Sequence, residues 1–309
     1  MSAPQSGERR PATPSLALAA LRPRSHGRRK ALDAFIKGFA YVAATVGIAV
    51  MLLIVYEVVR RGAATIDWGF FTELPPVVGE EGGGLGNALL GTLVITAVAA
   101  ALALPVGFLG GVWLAEFGRN GRIATGVRMV ANVNMGIPSI VVGVFIFALL
   151  VKPLQHYSGV AGSIALAFIM LPVMARTTED MLNLVPNELR ESALAMGVPR
   201  WRVTLGVIIR AARSGLITGA VLATVRVAGE TAPLLFTALS SPYWLNSLFG
   251  PEGFFGGPTA NLTKTVYDFS GMPYARMQEL AWGGALVIIA AVLGLNVLMR
   301  LVFQRGKEW

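Results

Sequence analysis

Arg226 and Glu230 stand inside an otherwise apolar stretch, Ala223-Thr224-Val225-Arg226-Val227-Ala228-Gly229-Glu230-Thr231-Ala232-Pro233-Leu234-Leu235-Phe236-Thr237. A charge at the centre of a bilayer costs about 2.5–3.5 kcal/mol on insertion scales, so such residues face a bundle interior or water. At i, i+4 on a helix the two share a face and can pair. Two readings follow. A neutral pair locks helices together; alternatively the residues lie on the path of an anion, with Thr231 beside them. A guanidinium offers an oxyanion five donors in a planar fork that an ammonium cannot match. Glu230 would then neutralise Arg226 while the path is empty.

No catalytic constellation accompanies this pair. The sequence has no G-x-x-x-x-G-K-[ST], H-E-x-x-H or G-x-S-x-G, so neither a P-loop nor a zinc or serine hydrolase is indicated. Gly82-Gly83-Gly84-Leu85-Gly86 follows an acidic loop rather than a strand, and reads as a turn. Cysteine is absent, which excludes disulfides and thiolate metal sites. His26 and His156 are too far apart for a metal-ligand spacing. The chain is expected to hold no metal or cofactor and to be no enzyme.

The elements that must position the pair are membrane helices. Hydrophobic residues make up 54% of the 309 and charged ones only 14%, against roughly 25% charged in soluble domains. The apolar residues fall in six blocks, near Phe35–Val59, Asn87–Ala115, Val127–Val151, Gly159–Met174, Ser214–Leu239 and Leu280–Phe303. A helix of about 20 residues crosses the hydrocarbon. The fold class is an all-α membrane protein with six transmembrane helices, the fourth being the shortest. Pro138 and Pro233 interrupt the third and fifth blocks. Such breaks mark sites that open alternately in transporters, although near Pro138 the small residues Gly136, Ser139 and Gly143 suit a packing kink equally.

The net charge of +9 sits beside the apolar blocks, an arrangement that orients a membrane protein and does not indicate nucleic acid. Arg119, Arg122, Arg176, Arg190, Arg200, Arg202, Arg210, Arg213, Arg300, Arg305 and Lys307 share one side with the basic N-terminal tail. Asp67, Glu73, Glu80, Glu81, Glu252 and Asp268 lie on the other. The positive-inside rule puts both termini in the cytoplasm. The expected organisation is a disordered basic tail over 1–33, a permease-like membrane domain over 34–304 and a cytoplasmic end at 305–309. The membrane domain includes an inner loop over 175–213 and an outer loop over 240–278.

Within the inner loop, Pro186 and Glu188 suit the first turn of a helix, Gly197 a left-handed stop and Pro199 the next start. Leu189, Ala193 and Met196 fall on one face. The short helix either rests on lipid headgroups or docks into a partner protein.

At this point residues match a known pattern. Glu191-Ser192-Ala193-Leu194-Ala195-Met196-Gly197 resembles the EAA-x-x-x-G loop of binding-protein-dependent ABC-importer permeases. The proline that follows in that family is missing at Arg210, and Arg213 stands where another often occurs. Gly229–Thr237 is similar to the A-type permease subunit of phosphate-specific ABC transporters. Phe71–Pro76, Gly91–Leu93, Gly136–Val141 and Leu280–Gly283 agree with it, and the likeness covers roughly 35–303. It implies a type I ABC importer permease fold in the bacterial inner membrane. It also implies an ATPase-coupling loop containing Glu191, Ser192, Ala193, Leu194, Met196 and Gly197. The implied partners are a second, C-type permease, two ATPase subunits that bind ATP and Mg, and an extracytoplasmic phosphate-binding protein, all in a lipid bilayer. A permease for sulfate or molybdate is the alternative in the same class. A membrane-embedded enzyme or an ATP-independent channel is the alternative in another.

Overall fold

The computed structural model describes residues 26–118 and 121–304. Most of the expected tail, 1–25, lies outside the described residues, as do Arg119 and the end at 305–309; residues 26–33 are helical. Lipid offers no partner to a bare N–H or C=O, so each span must satisfy its backbone within itself. Every described regular element is accordingly a helix or helical turn.

Five described helices are long and apolar enough to cross a membrane, and a pair bent by 102° makes a sixth if its two halves form one span. The crossings are α1 (His26–Gly62), α3 (Gly86–Val112), the pair α4 (Arg122–Gly136) and α5 (Ser139–Ile146), α6 (Gly159–Asn183), α8 (Ile209–Ala228) and α11 (Ala275–Gln304). Between them lie the short helices α2 (Trp68–Thr72), α7 (Asn187–Ala195), α9 (Ala232–Thr237) and α10 (Leu262–Ser270). The six apolar blocks of the sequence map one to one onto the crossings.

Three boundaries differ from expectation. The fourth span is the central helix of the bundle: α6 packs along α3 and touches α4, α5, α8 and α9. Its apolar run looked short because Arg176, Glu179 and Asp180 interrupt it. Glu179 is buried between Arg128 and Arg176 at 2.6 Å from each, so the helix continues through paired charge. The fifth block does not run to Leu239. α8 ends at Ala228, the chain turns through Gly229–Thr231, and α9 begins. Pro233 therefore sits in the first turn of α9, where a missing N–H costs nothing, and does not kink a span. The prolines inside helices are Pro105 in α3 and Pro172 in α6. The outer loop is also partly helical. Asn261 caps α10 by accepting from Lys264 N at 3.0 Å, and its amide donates to Leu239 O at 3.0 Å. That second bond steadies Leu239, which holds a left-handed φ of 56°.

No proline is needed where the family pattern places one at Arg210. The chain stays helical from Arg200 to Ala228, and the π turn Thr204–Ile208 adjusts it, ending two residues before Arg210. Side chains from α3, α6, α8 and α9 make the main core, including Ile95, Ala99, Leu166, Met170, Val227 and Leu234. A methyl group at Gly143 on α5 would lie 2.6 Å from Pro233 Cα, so the absence of a side chain lets α5 and α9 touch. Gly143→Leu is expected to push these helices apart and to lower the midpoint of thermal unfolding in detergent. An unchanged midpoint would show that the contact is not tight.

Candidate functional site

The bend in the third crossing comes from a proline and the residue before it. Ile137 is extended (φ −74°, ψ 132°), as a residue before proline prefers, and Pro138 follows with ψ 133° before α5 starts. Pro138 therefore makes a break, larger than the kink expected from sequence. A cavity of about 140 Å³ opens at this break, lined by Asn134, Met135, Ile137, Ser139, Ile169, Val173, Arg226 and Glu230. Arg226 occupies the last turn of α8, where the helix dipole favours a cation.

Arg226 and Glu230 come together in this cavity, but no ion pair joins them. The helix stops two residues before Glu230, with Gly229 as its cap, so the i, i+4 register needed for pairing is lost. Arg226 is exposed on this chain, while Glu230 and Thr231 are half-buried. Glu230 is held by its backbone: Thr263 Oγ1 donates to its carbonyl at 2.9 Å, tying the start of α10 to the turn. Asn134 and Ser139 join the site as further polar groups. Ser139 had suggested only close packing, and Asn134 carried no signal beyond standing four residues before Pro138. A guanidinium, an amide, a hydroxyl and the free N–H groups that open α5 can together surround an oxyanion. Glu230 supplies an acceptor.

The second assembly is α7. Pro186 and Pro199 stand just before their helices and not in the first turns. Gly197 has φ +75° and faces open space, as a left-handed stop requires. Ser192 Oγ returns to Glu188 O at 2.6 Å within the helix. Glu191, Leu189 and Leu194 are exposed, Met196 is 82% exposed, and Ala193 is half-buried. Of the predicted Leu189–Ala193–Met196 stripe, only Ala193 packs against the core, and Leu189 and Met196 are exposed. Arg190 is the only buried residue of α7. Its guanidinium spans 2.9 and 3.1 Å to Glu116 Oε1, 2.5 Å each to the Leu182 and Val185 carbonyls, and 3.2 Å to Asn187 Oδ1. In the sequence Arg190 reads only as one more positive-inside charge, because Glu116 lies 74 positions away.

Residues 107–307 match the family described as binding-protein-dependent transport system inner membrane component. The chain is 41% identical over 262 residues to the phosphate transport system permease protein PstA of Yersinia pestis, covering 85% of this chain and 86% of that one. PstA of Haemophilus influenzae is 38% identical, with 90% and 96% covered, and PstA 1 of Mycobacterium tuberculosis (strain H37Rv) 33%, with 91% of each. A chain of the inward-facing MetNI methionine ABC transporter superposes with a TM-score of 0.54 at 19% identity, covering 72% of this chain and 93% of its own. That likeness shows a shared fold, the type I ABC importer permease. The chain is thus a multi-pass protein of the bacterial inner membrane that belongs to the binding-protein-dependent transport permeases, in the PstA group.

Proposed function

We propose that this chain is the A-type permease subunit of an ATP-driven importer of inorganic phosphate. The observation that carries the reading is its likeness to PstA proteins across most of its length, including the segment that forms the Arg226 cavity. Arg226, Glu230 and Thr231 lie on the path, and Asn134 and Ser139 add donors at the break after Pro138. Arg226 is exposed here, which suits a path completed by a second, C-type permease on the same face. The basic residues of the inner loops support an orientation with both termini in the cytoplasm. Glu191–Gly197 then faces two copies of an ATPase, which bind the ATP and Mg, and a phosphate-binding protein delivers substrate on the outside. This chain contributes no covalent chemistry. ATP binding closes the ATPases, draws the docking helices together and opens the path outward.

The reading is tested by labelled-phosphate uptake at limiting phosphate in cells lacking this chain. The expected result is restoration by the full chain, and loss of that restoration when the partner ATPase is inactivated. Uptake that persists without the ATPase would point to a channel. Failure to restore phosphate uptake, with sulfate or molybdate uptake restored instead, would assign another oxyanion.

A further inference from the structure

The docking helix is joined to the bundle by a polar clamp. Of its nine residues only Arg190 is buried, and all five guanidinium N–H groups are used. Two go to Glu116 and one each to Leu182 O, Val185 O and Asn187 Oδ1. Glu116, itself buried, sits in the π turn Trp113–Gly118 that extends α3, and Leu182 lies in the last turn of α6. A π turn rotates the residues after it relative to a regular helix, and here Glu116 reaches α7. Three segments therefore meet at one guanidinium: the end of α3, the end of α6 and the docking helix. α3 and α6 form the most extensive helix pair of the fold, and α6 carries Ile169 and Val173 in the cavity wall beside Arg226.

We infer that Arg190 and Glu116 are positioning residues that make the docking helix move as one body with α3 and α6, carrying its displacement to the Arg226 cavity. This rests on the proposed ATP-driven function. Ala193 packs against the core beside this clamp, while Leu189 of α7 and Met196 just after it are exposed and are left for the partner. A buried arginine with five bonds tolerates no sliding, because any shift strands donors or the Glu116 carboxylate away from water. Lysine keeps the charge but lacks the fork, so it cannot hold α3 and α6 together.

The test uses the assembled transporter in lipid vesicles with its binding protein, comparing wild type with Arg190→Lys and Glu116→Gln. The expected result is normal assembly and continuing ATP hydrolysis, with phosphate imported per ATP reduced about tenfold or more. Unchanged import per ATP in both variants would overturn the inference while leaving the phosphate reading intact. Absence of phosphate import by the wild type would instead bring down the reading itself. Should a variant hydrolyse no ATP, spin labels supply the decision. The chain has no cysteine, so Asn183→Cys and Ser192→Cys place labels at the end of α6 and on α7. The label–label distance is expected to be narrow and independent of ATP in the wild type and broadened by Arg190→Lys. An equally narrow distribution in the variant would refute the clamp.

Discussion

Arg226→Ala is expected to lower phosphate uptake by about 10- to 100-fold while leaving the amount of chain in the membrane unchanged. The estimate follows from removing charged hydrogen bonds to a bound anion, each worth about 1.5–3 kcal/mol, at about 1.4 kcal/mol per tenfold. Because Arg226 makes no ion pair with Glu230 and is exposed on this chain, its removal strands no buried partner. The loss should therefore appear in transport and not in folding. Arg226→Lys is expected to recover part of the uptake, since a point charge attracts the anion without the planar fork. Wild-type uptake by the alanine variant at equal protein levels would remove Arg226 from the path.

The second large effect is expected at Gly197. Its φ of +75° is open to glycine and closed to β-branched residues. Forcing an ordinary L-residue into that region costs about 1–2 kcal/mol. Nothing lies within 4 Å of the place a Cβ would take, so the penalty is conformational and not steric crowding. Gly197→Val should tilt α7 against the helix starting at Arg200 and reduce uptake about 5- to 30-fold, the population factor of that cost. Gly197→Asn, which tolerates the left-handed region, should retain most activity. Copurification of the ATPase with the permease checks the cause. Equal uptake by the valine and asparagine variants would show that the turn does not set the docking geometry.

The crossings were legible in the sequence because lipid imposes one rule on every spanning segment: about 20 apolar residues with an internally bonded backbone. The α7 turn was legible for a similar reason, since Pro186, Gly197 and Pro199 each act through local backbone preference. What escaped depended on distance along the chain. Glu179 ended the apparent fourth span because its partner Arg128 is 51 positions away, and Arg190 read as a loop charge for want of Glu116. Arg226 and Glu230 were placed in one site by their spacing, but their pairing presumed a helix that continues through Gly229. The helix ends there, and Pro233 falls in the first turn of the next. Asn134 became visible only once the 102° bend at Pro138 opened a cavity that it lines together with Arg226.

The most direct test of phosphate import through this chain is accumulation of labelled phosphate in sealed vesicles. The vesicles hold the chain with its partner permease and ATPase subunits, and receive the binding protein outside and ATP within. The expected result is phosphate concentrated inside above the outside level, dependent on hydrolysable ATP and lost with Arg226→Ala. Equilibration without ATP would contradict it, and ATP-driven accumulation indifferent to Arg226 would remove that residue from the path.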